Sequence, residues 1–269
     1  MPAASAHDLC SPPPVHGQCV SDDLCQGGNW MSKPPDGGHQ GVPPGLEYLA
    51  VLDQVLSHQI VELLEVLTGW ETNNKYMLKN SMGQQVFYAF EKTDTCMRIC
   101  CQKHREFTIH IVDNNQQEVM RVYRPFKCCA GCCWCADCCD GCADELCVEA
   151  PPGTVVGIVK QAGGACSLNY HIQDAAGTDQ LMIQGPCCCM MCIKCCTDID
   201  FPIFPVGSSN QIGNVTKQWS GLAKEVFTTA NNFAITFPMD LDVKMKATLL
   251  GAMFLIDFMA FEEDKNNNS

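Results

Sequence analysis

The chain has 269 residues, and 17 basic against 30 acidic side chains give a formal charge of −13 at neutral pH. With 46% hydrophobic and only 17% charged residues it can bury a sizeable core, which excludes wholesale disorder. A charge this negative repels phosphate backbones and anionic headgroups, so nucleic acid is not an expected partner. A membrane must be reached through a local basic patch, a cation or an acyl chain.

The 22 cysteines, about 8% of residues, match the density of small secreted disulfide scaffolds. Residues 1–22, however, lack the basic head and apolar run of a secretory signal. The expectation is a reducing cytosol, in which thiols are free to bind soft metals, accept acyl chains or carry out redox chemistry. Pro2 stands where N-myristoylation requires glycine.

Along the chain, residues 1–42 are Pro-, Gly- and Ser-rich with few aliphatics and read as a flexible arm; within it no P-x-x-P spacing occurs. The folded part is expected over 43–262, followed by a polar tail, 263–269. Its first segment, 46–67, reads as a short helix followed by strands. Short runs separated by turn residues come next: 75–79 with 85–91, 106–112 with 118–123, and 168–173 with 180–184. Such runs are hairpins, and a succession of them indicates a sandwich or barrel.

Two of these hairpins form a pseudo-repeat. His110-Ile111-Val112-Asp113 recurs as His171-Ile172-Gln173-Asp174, and a proline follows each aspartate by twelve residues, at Pro125 and Pro186, before a cysteine cluster. Four candidate strands separate the clusters (146–150, 154–161, 168–173, 180–184). In an up-and-down sheet an even number returns the chain to the same end, so the two clusters are expected on one rim. His110 and His171 read as barrel residues rather than ligands.

The first cluster holds nine cysteines, from Cys128 to Cys147, and the second holds six, from Cys187 to Cys196. Several C-x-x-C pairs, such as Cys129/Cys132 and Cys189/Cys192, have the spacing that grips tetrahedral zinc. Adjacent thiols such as Cys187-Cys188-Cys189 are surplus to any one metal site and fit S-acylation better, where position hardly matters. Acylation, a zinc site and inert thiols all stay open at this point. Asp137, Asp140, Asp144 and Glu145 are interleaved, so this rim has no electrostatic attraction to an anionic leaflet.

Residues 247–261 are apolar all round except for Thr248 and Asp257, with Leu249, Leu250, Phe254, Leu255, Ile256 and Phe258 as the bulk. Fifteen residues at 1.5 Å each reach about 22 Å, short of the roughly 30 Å hydrocarbon layer. Asp257 would add a further cost to a span. A helix threaded through a β-barrel is the expectation. The alternative is a single-pass span with the N-terminal part in the cytosol, oriented by the preceding Lys244 and Lys246.

The longer motifs carry a resemblance. Pro43-Pro44-Gly45-Leu46-Glu47-Tyr48-Leu49, Ala150-Pro151-Pro152-Gly153, Gly185-Pro186-Cys187, Trp219-Ser220-Gly221 and the runs 237–246 and 254–259 resemble the phospholipid scramblase family from about residue 43 to 262. The resemblance implies a Tubby-like fold: a closed barrel of about twelve strands around a hydrophobic C-terminal helix. It also implies ATP-independent, calcium-stimulated movement of phospholipids between leaflets, with no bond made or broken, at the cytosolic face of the plasma membrane. Palmitoylation is implied at the segment best matched by Cys132, Cys133, Cys135, Cys138 and Cys139.

The family's calcium segment maps onto residues 229–240, with Asn231, Asp240 and Asp242 as the candidate ligands. Phe233 and Ala234 stand where a calcium loop wants an oxygen ligand and a glycine, so any site is expected to be weak. Residues 233–237 alternate like a strand, and Asp240 or Asp242 equally reads as a cap on the last helix. Three functions follow: a scramblase, which needs a wet path and hence an oligomer; a lipid-anchored adaptor; and a thiolate metal protein. A helix enclosed by the barrel would favour the adaptor.

Overall fold

The computed structural model describes residues 29–34, 41–60, 73–94, 97, 101, 104–127, 142–164, 167–187, 197–219 and 231–261. After one helical turn, α1 (Glu47–Ala50), come twelve strands: β1 (Gln54–Ile60), β2 (Lys75–Lys79), β3 (Gln85–Lys92), β4 (Phe107–Val112), β5 (Glu118–Arg124), β6 (Glu145–Glu149), β7 (Val155–Ala162), β8 (Ser167–Asp174), β9 (Asp179–Cys187), β10 (Ile199–Pro205), β11 (Gly213–Gln218) and β12 (Asn232–Thr236). Each pairs antiparallel with the next, and β1 pairs with β12 to close the barrel. Through it runs α2 (Val243–Ile256), which ends in a π-helical turn, Asp257–Phe261.

The expected barrel and the helix inside it are both present, and the pattern of side chains explains why. Along the strands alternate residues point inward, as in β4 (Phe107, Ile109, Ile111) and β10 (Ile199, Phe201, Ile203), and these join one core with α2. Because every side of α2 faces a strand, the helix is apolar all round rather than amphipathic, and residues 245–258 are all buried. It begins at Val243, four residues before the expected start, because Asp242 caps it: the carboxylate accepts from the backbone N–H of Lys244 and Met245. Among the described residues no helix is long and apolar enough to cross a membrane. The single-pass alternative is therefore replaced by a helix that fills the barrel.

The two ends of the barrel differ. At the first, which we call the turn end, the connections are tight, and three hairpins use one device. Asn80, Asp113 and Asp174 each accept with their side-chain oxygen from backbone N–H groups two and four residues on. The left-handed position that follows is taken by Gly83, Gln116 and Gly177. Asp113 and Asp174 thus hold equivalent places, and the pseudo-repeat is structural. It extends to the histidines, since His110 Nδ1 lies 2.7 Å from Glu118 and His171 Nδ1 lies 3.1 Å from Asp179.

All the longer connections lie at the second end. The described chain leaves this end at Lys127 and Cys187 and returns to it at Cys142 and Thr197, with four strands between the two clusters. The strand-parity expectation holds: both cysteine segments depart from one rim. One expectation is corrected. Part of the N-terminal arm, residues 29–34, is pinned to the barrel: Gln85 N–H donates to Asn29 O and Met31 N–H donates to Gln85 O. Met31 packs on the core, which is the burial that a purely flexible arm lacks.

Close approach of helix and wall requires two glycines. A Cβ on Gly251 would sit 2.6 Å from Val148 Cγ2, and one on Gly157 would sit 2.1 Å from Thr248 Oγ1. We predict that Gly251→Val destabilises the chain by about 2 to 3 kcal/mol through overpacking, with part of the loss restored by adding Val148→Ala. Denaturant titration of the single and double variants measures both.

Candidate functional site

At the cysteine rim the inward-facing positions switch from aliphatic to polar. Gln59 on β1, Glu91 on β3, Arg124 on β5 and Gln161 on β7 continue the inward alternation of their strands, and they meet Asn74, Arg105, Asp144 and Asn231 from the adjoining segments. The result is a hydrogen-bonded belt. Asn231 Nδ2 donates to Asp257 Oδ1 (2.8 Å), and its backbone N–H donates to Gln59 Oε1 (2.7 Å). Gln59 Nε2 donates to Asn74 Oδ1 (3.0 Å), and Asn74 Nδ2 donates to Glu91 Oε2 (2.9 Å). Arg105 reaches Glu91 Oε1 through Nε and Nη2, both at 3.1 Å. Arg124 donates to Arg105 O and to Asp144 Oδ1, both at 2.6 Å, and Gln161 Oε1 accepts from the N–H of Asp144.

The charges in this belt are taken fully out of water. Glu91, Arg105, Arg124 and Asp144 are each 2% exposed or less, so removing one partner would strand the other. The belt also grips the end of α2. Asp257, buried at 3%, accepts from Tyr76 OH (2.8 Å) in addition to Asn231. Phe258 stacks on Phe107 at 4.0 Å, and the guanidinium of Arg105 lies 4.8 Å from the centre of the Phe258 ring. The same residues shape the base of the first cysteine segment. Lys127 Nζ donates to Ala143 O and Glu145 Oε2, clamping the point of departure to the point of return.

At the opposite end a single cation does the matching task. Lys246 is wholly buried and donates to the carbonyl oxygens of Leu49, Leu52 and Met239. Burial pushes its ammonium below the ordinary lysine value, while Asp53 and Asp240 pull it back up. This lysine anchors the helix inside the barrel; it does not flank a membrane span.

The candidate calcium ligands are not brought together. Asn231 belongs to the belt, Asp242 is occupied as the helix cap and Asp240 is exposed beside it at the turn end. Between them runs β12, five residues that at about 3.3 Å each separate the two sets by roughly 16 Å. These three residues do not fit one calcium ion. Among the described residues no group of three or more His, Cys, Asp or Glu side chains could hold a metal. Cys132, Cys133, Cys135, Cys138 and Cys139 lie outside the described residues. Of the described cysteines, Cys101 is a free thiol, whereas Cys147 is buried and disulfide-bonded, contrary to the expectation of free thiols throughout.

Leu249, Leu250, Phe254, Leu255, Ile256, Asp257 and Phe258 all sit inside the barrel as a core helix. What the sequence reading missed is the belt itself. Its signal was present in β5, where Met120, Val122 and Arg124 share the inward face, but an arginine in that series reads as the end of a strand.

A closed barrel whose own C-terminal helix is its core, pinned by ionisable groups at both ends, defines the class of protein. Residues 33–263 match the Scramblase family model. The chain is 50% identical over 237 residues to mouse phospholipid scramblase 1, covering 88% of this chain and 69% of that protein. It is 49% identical to the human phospholipid scramblase 1 (87% and 70%) and 50% identical to the bovine phospholipid scramblase 2 (82% and 72%). The chain belongs to the phospholipid scramblase family.

Two predictions follow from the site. Tyr76→Phe leaves an oxygen of Asp257 short of a donor and should cost about 1 to 3 kcal/mol in denaturant unfolding, with Asp257→Ala at least as damaging. On the outer wall, burial pushes the Glu118 carboxyl up, but hydrogen bonds from His110 and Arg121 and the charges of both outweigh it and hold the group at about 2. A depressed carboxylate contributes stability above its ordinary value of 4.5 that is lost as the pH falls through the folded value. Glu118→Gln should therefore flatten the loss of stability between that value and about pH 2, read from urea midpoints at a series of pH values.

Proposed function

We propose that this chain moves phospholipids between membrane leaflets without ATP and without making or breaking a covalent bond. The observation that carries this reading is the near-50% identity, over most of the chain, to relatives named as phospholipid scramblases. The barrel is held at the cytosolic face of the plasma membrane by acyl chains on the first cysteine segment, with Cys132, Cys133, Cys135, Cys138 and Cys139 as the acceptors. One chain holds a membrane only marginally, so at least two are used. A headgroup needs a polar path, and a helix sealed in a barrel offers none to lipid; the path is therefore built by more than one copy. Calcium stimulation, where it operates, does not run through a joint site of Asn231, Asp240 and Asp242.

The enclosed helix favours a second reading, a lipid-anchored adaptor that binds partners or headgroups and moves no lipid. Vesicles carrying a fluorescent phospholipid in both leaflets separate the two. Dithionite should bleach only the outer leaflet of protein-free vesicles and nearly all the label once the purified chain is reconstituted. Bleaching that stays at the protein-free level, with and without calcium, leaves the adaptor. Anchoring has its own check: serine at all five acceptor positions should shift the chain from the membrane pellet to the soluble fraction.

A further inference from the structure

The rim from which the cysteine segments leave also gathers apolar surface. Phe126, 46% exposed, follows β5 directly before the first segment, and Trp219, 37% exposed, follows β11. In the ring of twelve strands β5 and β11 lie six apart in either direction, so the two aromatics stand on opposite sides of the mouth. Between them the π-helical turn brings Met259, Ala260 and Phe261 to the same mouth, only partly buried. Trp219 is held in place, its backbone N–H donating to Asp198 at 2.8 Å.

We infer that this rim is a bilayer-docking surface, with the barrel axis directed at the membrane and Phe126 and Trp219 seated in the boundary between headgroups and acyl chains. The Trp219 indole settles at that depth because its ring is apolar and its N–H hydrogen-bonds, while the wholly apolar Phe126 ring enters on the acyl side of the same boundary. The placement rests on the acyl reading of residues 128–141, whose departure and return at Lys127 and Cys142 put any attached chain on this rim. Phe126 and Trp219, at opposite sides of the mouth, enter the boundary together only when the barrel stands upright on it, so the pair limits tilt along the line that joins them.

The opposite end exposes Val51, Met82, Val206 and Met239, but it carries no aromatic among them, and neither of the two cysteine clusters departs from it. Glu106, Asp198 and Asp200 are exposed at the docking rim, so the surface fits zwitterionic phosphatidylcholine rather than an anionic leaflet.

The test uses the full acylated chain bound to phosphatidylcholine vesicles that contain a fraction of the same lipid with a photoactivatable diazirine near the top of one acyl chain. After irradiation the labelled peptides are mapped by mass spectrometry. Peptides holding Phe126 and Trp219 should carry at least about fivefold more label than those holding Met82 and Met239, as interfacial burial at one end requires. Equal labelling of the two ends, or an excess at Met82 and Met239, overturns the docking surface. Stripping the acyl chains with hydroxylamine before mixing should lower the total yield several-fold. An unchanged yield with the rim bias intact would defeat the acyl reading and leave the docking surface standing. Phe126→Ser and Trp219→Ser, at exposed positions that leave the fold intact, should each reduce rim labelling, and rim labelling at the level of the unmodified chain in both variants also overturns the proposal.

Discussion

The structure depends on an apolar helix that occupies a closed sheet and on the two ionisable side chains, Lys246 and Asp257, that the helix carries in with it. Each sits near one end of the barrel, and each is matched there: the ammonium by three backbone carbonyls, the carboxylate by a phenol and an amide. Without those partners a buried charge would cost several kcal/mol, comparable to the whole stability of a domain. With them, the two groups fix how far the helix is inserted. A shift by one residue along its axis would unmatch both ends together, so the barrel holds its plug in one register.

Much of this was legible in the sequence, and the parts that were not have physical reasons. The hairpins announced themselves through Asn80, Asp113 and Asp174, whose side chains shape a turn wherever they stand before a left-handed residue. The pseudo-repeat and the strand parity placed the two cysteine clusters on one rim. Residues 247–261 read as fully buried because no face was polar. The belt escaped notice because its members lie far apart in the chain; Gln59 and Asn231 are 172 positions apart, and no local pattern shows that two amides will meet. Lys246 misled for a related reason. A lysine at the head of an apolar run looks like the flank of a membrane span, and only the closing of the sheet around it reveals three carbonyls waiting. The family's calcium segment kept its place in the sequence, but residues 232–236 became a strand and set its candidate ligands at opposite ends.

The two ends of the barrel divide the labour of holding it together. At one end, short turns and the capped start of the helix close the barrel. At the other, buried ion pairs brace the bases from which the thiol-rich segments spring, as when Lys127 ties Ala143 and Glu145 across the gap. Rigid footing of this kind lets a long connection vary in composition without disturbing the wall.

Closure of the sheet has a consequence for how the chain comes into being. The strand that seals the ring, β12, pairs with β1 across 174 positions between His58 and Asn232, and the plug follows it. Until the last stretch has been synthesised, eleven strands can only form an open, curved sheet with its greasy concave side bare. Long-range pairing of this sort is slow and prone to sticking. A messenger that ends before codon 232 would yield a product with both sheet edges unpaired and an empty centre, whereas one that ends between codons 237 and 242 would keep the sealing strand and lack only the plug.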